Sequence, residues 1–119
     1  MKIERIELHY VCLPFLKPFQ YSSGIEVDHP CIIIAVYGEG LIGWGECPVY
    51  YYPYYCYETI QTAWHILSDC LIPSVIGQNI SSPSELSDTF KRFRGHPLAK
   101  SGLDCAFWDL FAKQKNIPL

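Results

Sequence analysis

Basic residues are scarce in this chain: 9 Lys and Arg stand against 12 Asp and Glu, a formal net charge of -3 over 119 residues. No stripe of positive charge is available to neutralise phosphates, which argues against nucleic acid or an anionic membrane as a partner. The densest basic group, Lys91, Arg92 and Arg94, is what the solvated face of a helix carries. Long apolar runs are missing too. Residues 31–37 and 71–76 fall far short of the roughly 20 residues of a membrane span, and the N-terminal MKIERIELHY lacks the apolar stretch of a signal peptide. A cytoplasmic location is therefore expected. The 6 cysteines include no Cys-x-x-Cys pair and show no zinc-ligand spacing with the 4 histidines. They are expected to be reduced thiols that mostly fill the core, with Cys56 the most exposed, and no metal site is expected. A nucleophile elbow, a phosphate-cradling glycine loop and a helical His-Glu-x-x-His are all absent.

Apolar material is plentiful: 50% of residues are hydrophobic and 18% charged, which excludes disorder and suits one domain of ordinary size. Ile6, Leu8 and Tyr10 alternate with Glu7 and His9, the period of a half-buried strand over residues 3–13. Pro14 and Pro18 are expected to end it, leaving KPFQYSSG (17–24) as an aromatic loop. CIIIAVY (31–37) and LIGWGEC (41–47) flank Gly38-Glu39-Gly40, which predicts a hairpin. Gly43 and Gly45 share one face of the last strand, so another element can approach it closely there.

From Glu58 the period becomes helical, through Ile60, Ala63, Trp64, Leu67 and Leu71, with Pro73 as the expected stop. Ser82-Pro83-Ser84-Glu85 predicts a capping box, in which Ser82 accepts from the Glu85 N–H and Glu85 reaches back. Helices are expected over about 57–71, 83–93 and 98–115. Strands first and helices after them predict an α+β domain: a three-stranded antiparallel meander with helices packed on one face.

Catalytic chemistry is hard to assemble from these residues. Lys113 and Lys115 sit at a helix C-terminus, where the dipole favours cations. Asp104 and Asp109 are separated by about 140° around a helix and do not converge. His65, beside Trp64 on a helix, reads as a surface or packing residue. Glu46 is the best lone carboxylate, and a structural hydrogen bond is its expected role. The most unusual stretch is GWGECPVYYYPYYCYET (43–59), which holds 6 of the chain's 9 tyrosines.

Four motifs in order carry a resemblance: GWGEC at 43–47, PYYCYET at 53–59, TAWHIL at 62–67 and AKSGLDCAFWDL at 99–110. Together they resemble the N-terminal capping domain of the enolase superfamily, in its muconate-lactonising branch, most like the o-succinylbenzoate synthase and N-acylamino acid racemase group. The resemblance implies a parent enzyme in which this cap closes over a C-terminal (β/α) barrel absent from residues 1–119. Barrel lysines would serve as acid and base, and three barrel carboxylates would hold Mg2+, which stabilises an enediolate formed from a small carboxylate substrate. No catalytic residue, metal ligand or cofactor is then expected in this chain, which alone should be inactive, whereas the full-length enzyme is expected to be a homo-oligomer.

The cap's own contribution, by the same resemblance, is two specificity loops. The first is Pro18–Gly24, with Phe19, Gln20, Tyr21, Ser22 and Gly24 as its site residues and Phe19 facing the pocket, and the second is Cys47–Tyr55, with Tyr54 and Tyr55, of which Tyr55 matches a substrate-contacting position. The family usually has acidic and β-branched residues where Gln20 and Tyr21 stand, and the run Tyr50-Tyr51-Tyr52 is unusual for it. Dehydration for menaquinone synthesis is the leading expectation and racemisation the alternative. A free-standing binding or interaction module is the competing reading.

Overall fold

The computed structural model describes residues 1–22 and 24–119; Ser23, inside the expected 17–24 loop, lies outside the described residues. Three strands, β1 (Arg5–Tyr21), β2 (Gly24–Gly38) and β3 (Leu41–Pro48), pair antiparallel in the order β1-β2-β3. β2 and β3 join through Glu39 and Gly40, both at positive φ (52° and 74°) as a two-residue turn of the primed type requires.

The first strand runs eight residues past its expected end, and β2 begins seven before its expected start. What reads as a loop is a two-stranded ribbon, with Phe19, Gln20 and Tyr21 paired to Glu26, Ile25 and Gly24. The prolines do not stop β1 because it is an edge strand, where a missing N–H can face away from the ladder. Between Pro14 and Phe19 the register also slips, so residues 15–18 bulge opposite a single partner position and Pro18 needs no ladder bond.

The helices follow: α1 (Ile60–Ile66), a π-helical turn (Leu67–Leu71), α2 (Ile72–Val75), α3 (Pro83–Phe90) and α4 (Pro97–Gln114). Thr59 caps α1 by accepting from the Thr62 N–H, while Thr62 Oγ1 accepts from the Thr59 N–H at 2.8 Å. Pro73 does not end the helical run, which reaches Val75. The wider π turn just before it lets the Ile72 N–H bond to the Leu67 carbonyl, and the chain absorbs the proline that would otherwise clash with the preceding turn. Ser82 accepts from the Glu85 N–H as expected, but Glu85 reaches back to the N–H and hydroxyl of Ser81 (2.9 and 2.5 Å). α3 ends at Phe90, short of residue 93.

Alternation sends Ile32, Ile34 and Val36 of β2 toward the helices, where they meet Leu103, Ala106, Phe107 and Leu110 in one buried cluster with Ile3, Leu67 and Leu71. Each of the larger side chains in it, Ala106 apart, stabilises the fold by roughly 1.5–3 kcal/mol. α4 lies directly on β3. A Cβ on Gly43 would fall inside the Ala106 carbonyl oxygen and 2.6 Å from Leu110 Cβ, and one on Gly45 would strike the Gly102 carbonyl. Gly102 reciprocates, since a Cβ there would sit 2.9 Å from Cys47 Cβ. The opposite face of the sheet carries polar and aromatic residues. There Tyr37 donates to Glu7 Oε1 at 2.7 Å and the Arg5 guanidinium lies 4.1 Å from the Tyr37 ring centre.

Of the cysteines, only Cys31 and Cys47 are fully buried. Burial pushes the Cys47 thiol up to about 12. The exposed ones are Cys12 and Cys105, whereas Cys56 is half-buried because its thiol turns in to the Glu58 carbonyl.

A candidate substrate-facing aromatic site

The tyrosine-rich segment between β3 and α1 is a loop whose two ends are tied together. Tyr50 and Thr59 form a parallel bridge, and the Ile60 N–H bonds to the Tyr50 carbonyl at 3.0 Å. Closing the ends drives the intervening tyrosines outward. Three further contacts fix the loop. Tyr57 accepts the His96 N–H at 2.5 Å, and Tyr51 meets Cys12 Sγ of β1 at 3.0 Å. That thiol contact, with burial and the Asp28 charge added, holds the Tyr51 hydroxyl well above the usual tyrosine value.

The third contact is Glu58, the only buried charged side chain among the described residues. Its carboxylate accepts the N–H groups of Leu98 (2.8 Å) and Ala99 (3.0 Å) in the first turn of α4. That helix starts after His96, which is at φ 57° and offers no side-chain cap. Glu58 therefore supplies the missing acceptor and places a negative charge at the positive end of the dipole. Sequence spacing assigned Glu58 to the start of α1. Its real task spans 40 residues, and no local pattern announces it.

The ribbon brings its tip to this loop. Phe19 and Tyr21, two apart on one face of β1, stack with ring centres 6.0 Å apart, and Tyr21 donates to Glu26 Oε1 at 2.8 Å, which raises its own hydroxyl. Phe19 and Tyr21 from the ribbon, with Tyr50 and Tyr55 from the loop, line a cavity of about 340 Å³. Its walls are rings and hydroxyls, with no ammonium or guanidinium among them. Such a surface can hold an apolar or planar group and exclude water, but it cannot pair a carboxylate.

Three of the residues expected at a specificity surface, Phe19, Tyr21 and Tyr55, thus converge, joined by Tyr50, which lies in the expected second loop but was not among the residues named for it. The others stand apart. Gln20 points to the opposite face of the ribbon from Phe19, as strand alternation demands. Ser22 is exposed in the turn, Gly24 lies beside the Tyr21 ring, and Tyr54 pairs with Tyr52 at 5.7 Å between ring centres. Other hollows have less to offer. One of about 360 Å³ between α3 and α4 is lined in part by Lys91, Lys100 and Asp104, yet Lys91 is bound to Asp88 and Lys100 to the Phe93 carbonyl.

Remaining candidates have structural partners. Lys113 bonds to the Ile42 carbonyl (2.8 Å) and Asp109 (2.7 Å), and Asp109 accepts the Trp44 N–H at 2.9 Å, pinning α4 to β3. Burial alone would raise the Asp109 carboxyl, but Lys113 and the Trp44 N–H outweigh it and hold it below the ordinary value. His65 pairs with Asp69 on the helix surface at 3.2 Å. Glu46 does have a partner, His29, at 3.5 Å.

Residues 5–119 match the family model of the mandelate racemase / muconate lactonizing enzyme N-terminal domain. The chain belongs to this family, part of the enolase superfamily. It is 38% identical over 120 residues to an o-succinylbenzoate synthase of Bacillus subtilis, covering 100% of this chain and 32% of the relative. An N-succinylamino acid racemase of Thermus thermophilus is 36% identical over 119 residues, with 100% and 32% covered. Among solved structures, an enolase superfamily member from Listeria innocua superposes with a TM-score of 0.92 at 32% identity, over 97% of this chain and 31% of that one. The N-succinyl Arg/Lys racemase of Bacillus cereus gives 0.87 at 33% identity, with the same coverage. The chain thus spans about a third of the length of the relatives it matches.

Magnesium, which the resemblance implies for the family's chemistry, wants oxygen ligands in octahedral geometry. The one group of three metal-capable side chains among the described residues is His29, Cys31 and Glu46. An imidazole and a thiol do not fit Mg2+. No helix of the described chain is long and apolar enough to cross a membrane.

Proposed function

We propose that this chain is the substrate-capping domain of an enolase-superfamily enzyme, and that o-succinylbenzoate synthase, a dehydratase of menaquinone synthesis, is the parent activity. The observation that carries the reading is the meeting of ribbon tip and tyrosine loop in one ring-lined cavity. Phe19, Tyr21, Tyr50 and Tyr55 bind the apolar part of the substrate and keep water from the reacting carbon. Acid-base groups and divalent-metal ligands belong to a barrel beyond residue 119, which also supplies the partner for the substrate carboxylate. Gln20, Ser22, Gly24 and Tyr54 shape the tip and the loop around these four.

The names of relatives support both this activity and N-acylamino acid racemisation, which can share an enediolate intermediate. The two are separated by assaying the complete gene product for dehydration of a cyclohexadiene carboxylate and for racemisation of N-succinylamino acids. Dominant dehydration supports the proposal, and racemisation alone replaces it. The 119-residue chain by itself shows no Mg2+-dependent turnover of either kind; turnover abolished by chelation would overturn that.

A second reading, a free-standing interaction module, is favoured by the exposure of Leu16, Phe19 and Tyr55 (105%, 54% and 83%), an apolar patch that invites association. It predicts self-association of the isolated chain, and a monomer by sedimentation at high concentration opposes it.

A further inference from the structure

We propose that His29, Cys31 and Glu46 form a site for a borderline-soft divalent cation of the Zn2+ type, on the sheet face that the helices leave open. Residues 29 and 31 share a face of β2 by alternation, and the register that pairs Ile33 with Glu46 sets the Glu46 side chain diagonally across from Cys31. Their ligand atoms all lie within 4.8 Å of one another, with His29 Nε2 3.5 Å from Glu46 Oε2. In a tetrahedral zinc site neighbouring ligand atoms are about 3.4–3.6 Å apart. The imidazole and carboxylate already have that spacing, so only the thiol side needs to close in.

The environment is built for a cation. Cys31 is fully buried, whereas His29 and Glu46 keep solvent-reaching side chains (28% and 46% exposed), so an ion has an entry path and a fixed floor. One imidazole, one thiolate and one carboxylate form a mixed set that selects Zn2+ or Co2+ over Mg2+ and Ca2+, and three protein ligands leave the fourth position to water. Neither His29-x-Cys31 nor Glu46 announces this in the sequence, because the ligands meet through strand register and not through local spacing.

Co2+ is the probe, because its spectrum reports its ligands. The reduced chain titrated with Co2+ should take up one equivalent, with a thiolate-to-cobalt charge-transfer band and the visible bands of tetrahedral cobalt. Zn2+ should displace it, and a large excess of Mg2+ should not. His29→Asn and Glu46→Gln, at solvent-reaching positions, should each weaken binding by about tenfold to a hundredfold or more. Cys31→Ser should remove the charge-transfer band, and Cys12→Ser and Cys56→Ser should leave it. Should Cys31→Ser fail to fold by circular dichroism, the His29 and Glu46 variants decide alone. A titration without the thiolate band, or a band that His29→Asn and Glu46→Gln leave at full affinity, overturns the proposal.

Discussion

Two regions of this domain use side chains in opposite ways. At the seam between β3 and α4, side chains are removed: Gly43, Gly45 and Gly102 let backbone touch backbone. At the rim formed by the ribbon tip and the tyrosine loop, large side chains stand in solvent, with Tyr54 and Tyr55 at 65% and 83% exposure. The seam spends its composition on stability and tolerates no added atom. The rim gains little stability from its aromatics, which is the signature of surface kept for contact with something else. Glu58 joins the two, since it closes the tyrosine loop and caps the helix of the seam.

The contrast can be broken most severely at the seam. Gly45→Ala forces a methyl into the Gly102 carbonyl, so chemical denaturation should register a loss of about 3 kcal/mol or more, or no folded protein at all. Next comes the joint. Glu58→Ala leaves two N–H groups of α4 without an acceptor and should cost about 2–3 kcal/mol, with Glu58→Gln restoring part of it, read from the same denaturation curves.

Asp109→Asn should cost about 1 kcal/mol, because the Trp44 N–H keeps an acceptor while the Lys113 pair is lost. The sign of its pH dependence follows from the lowered folded value. The Asp109 contribution is fully present above the unfolded Asp pKa of about 3.9 and disappears as pH falls through the depressed folded value. A wild-type acid titration compared with Asp109→Asn should show the curves converging at low pH. At the rim, Phe19→Ala and Tyr55→Ala should change stability by less than about 0.5 kcal/mol in thermal melts, as exposed positions do.

Much of the seam was legible in the sequence. Gly43 and Gly45 at alternate positions of a strand announce close approach, and Ser82 and the Gly38-Glu39-Gly40 turn mark boundaries through local backbone chemistry. Features that depend on partners distant along the chain were not. Pro14 and Pro18 read as strand breakers unless β1 is known to be an edge with a bulge, and Pro73 reads as a helix stop unless a π turn precedes it. Phe19 and Tyr21 were expected in a loop and occupy a strand, which fixes their common face and sends Gln20 to the other. Tyr50 stood out as part of an unusual tyrosine run, but its place in the cavity was hidden because it depends on the bridge to Thr59. His29, Cys31 and Glu46 likewise meet only through the β2–β3 register.

Under the proposed function, the ring-lined cavity, and not the fold's interior, is where this domain would meet substrate. That reading is tested most directly by measuring kcat/KM alongside the thermal midpoint for Phe19→Ala and Tyr55→Ala in the full-length protein. In both variants kcat/KM should fall roughly tenfold or more, the value of about 1.4 kcal/mol of lost apolar contact, with an unchanged midpoint. Wild-type kcat/KM in both variants would contradict it.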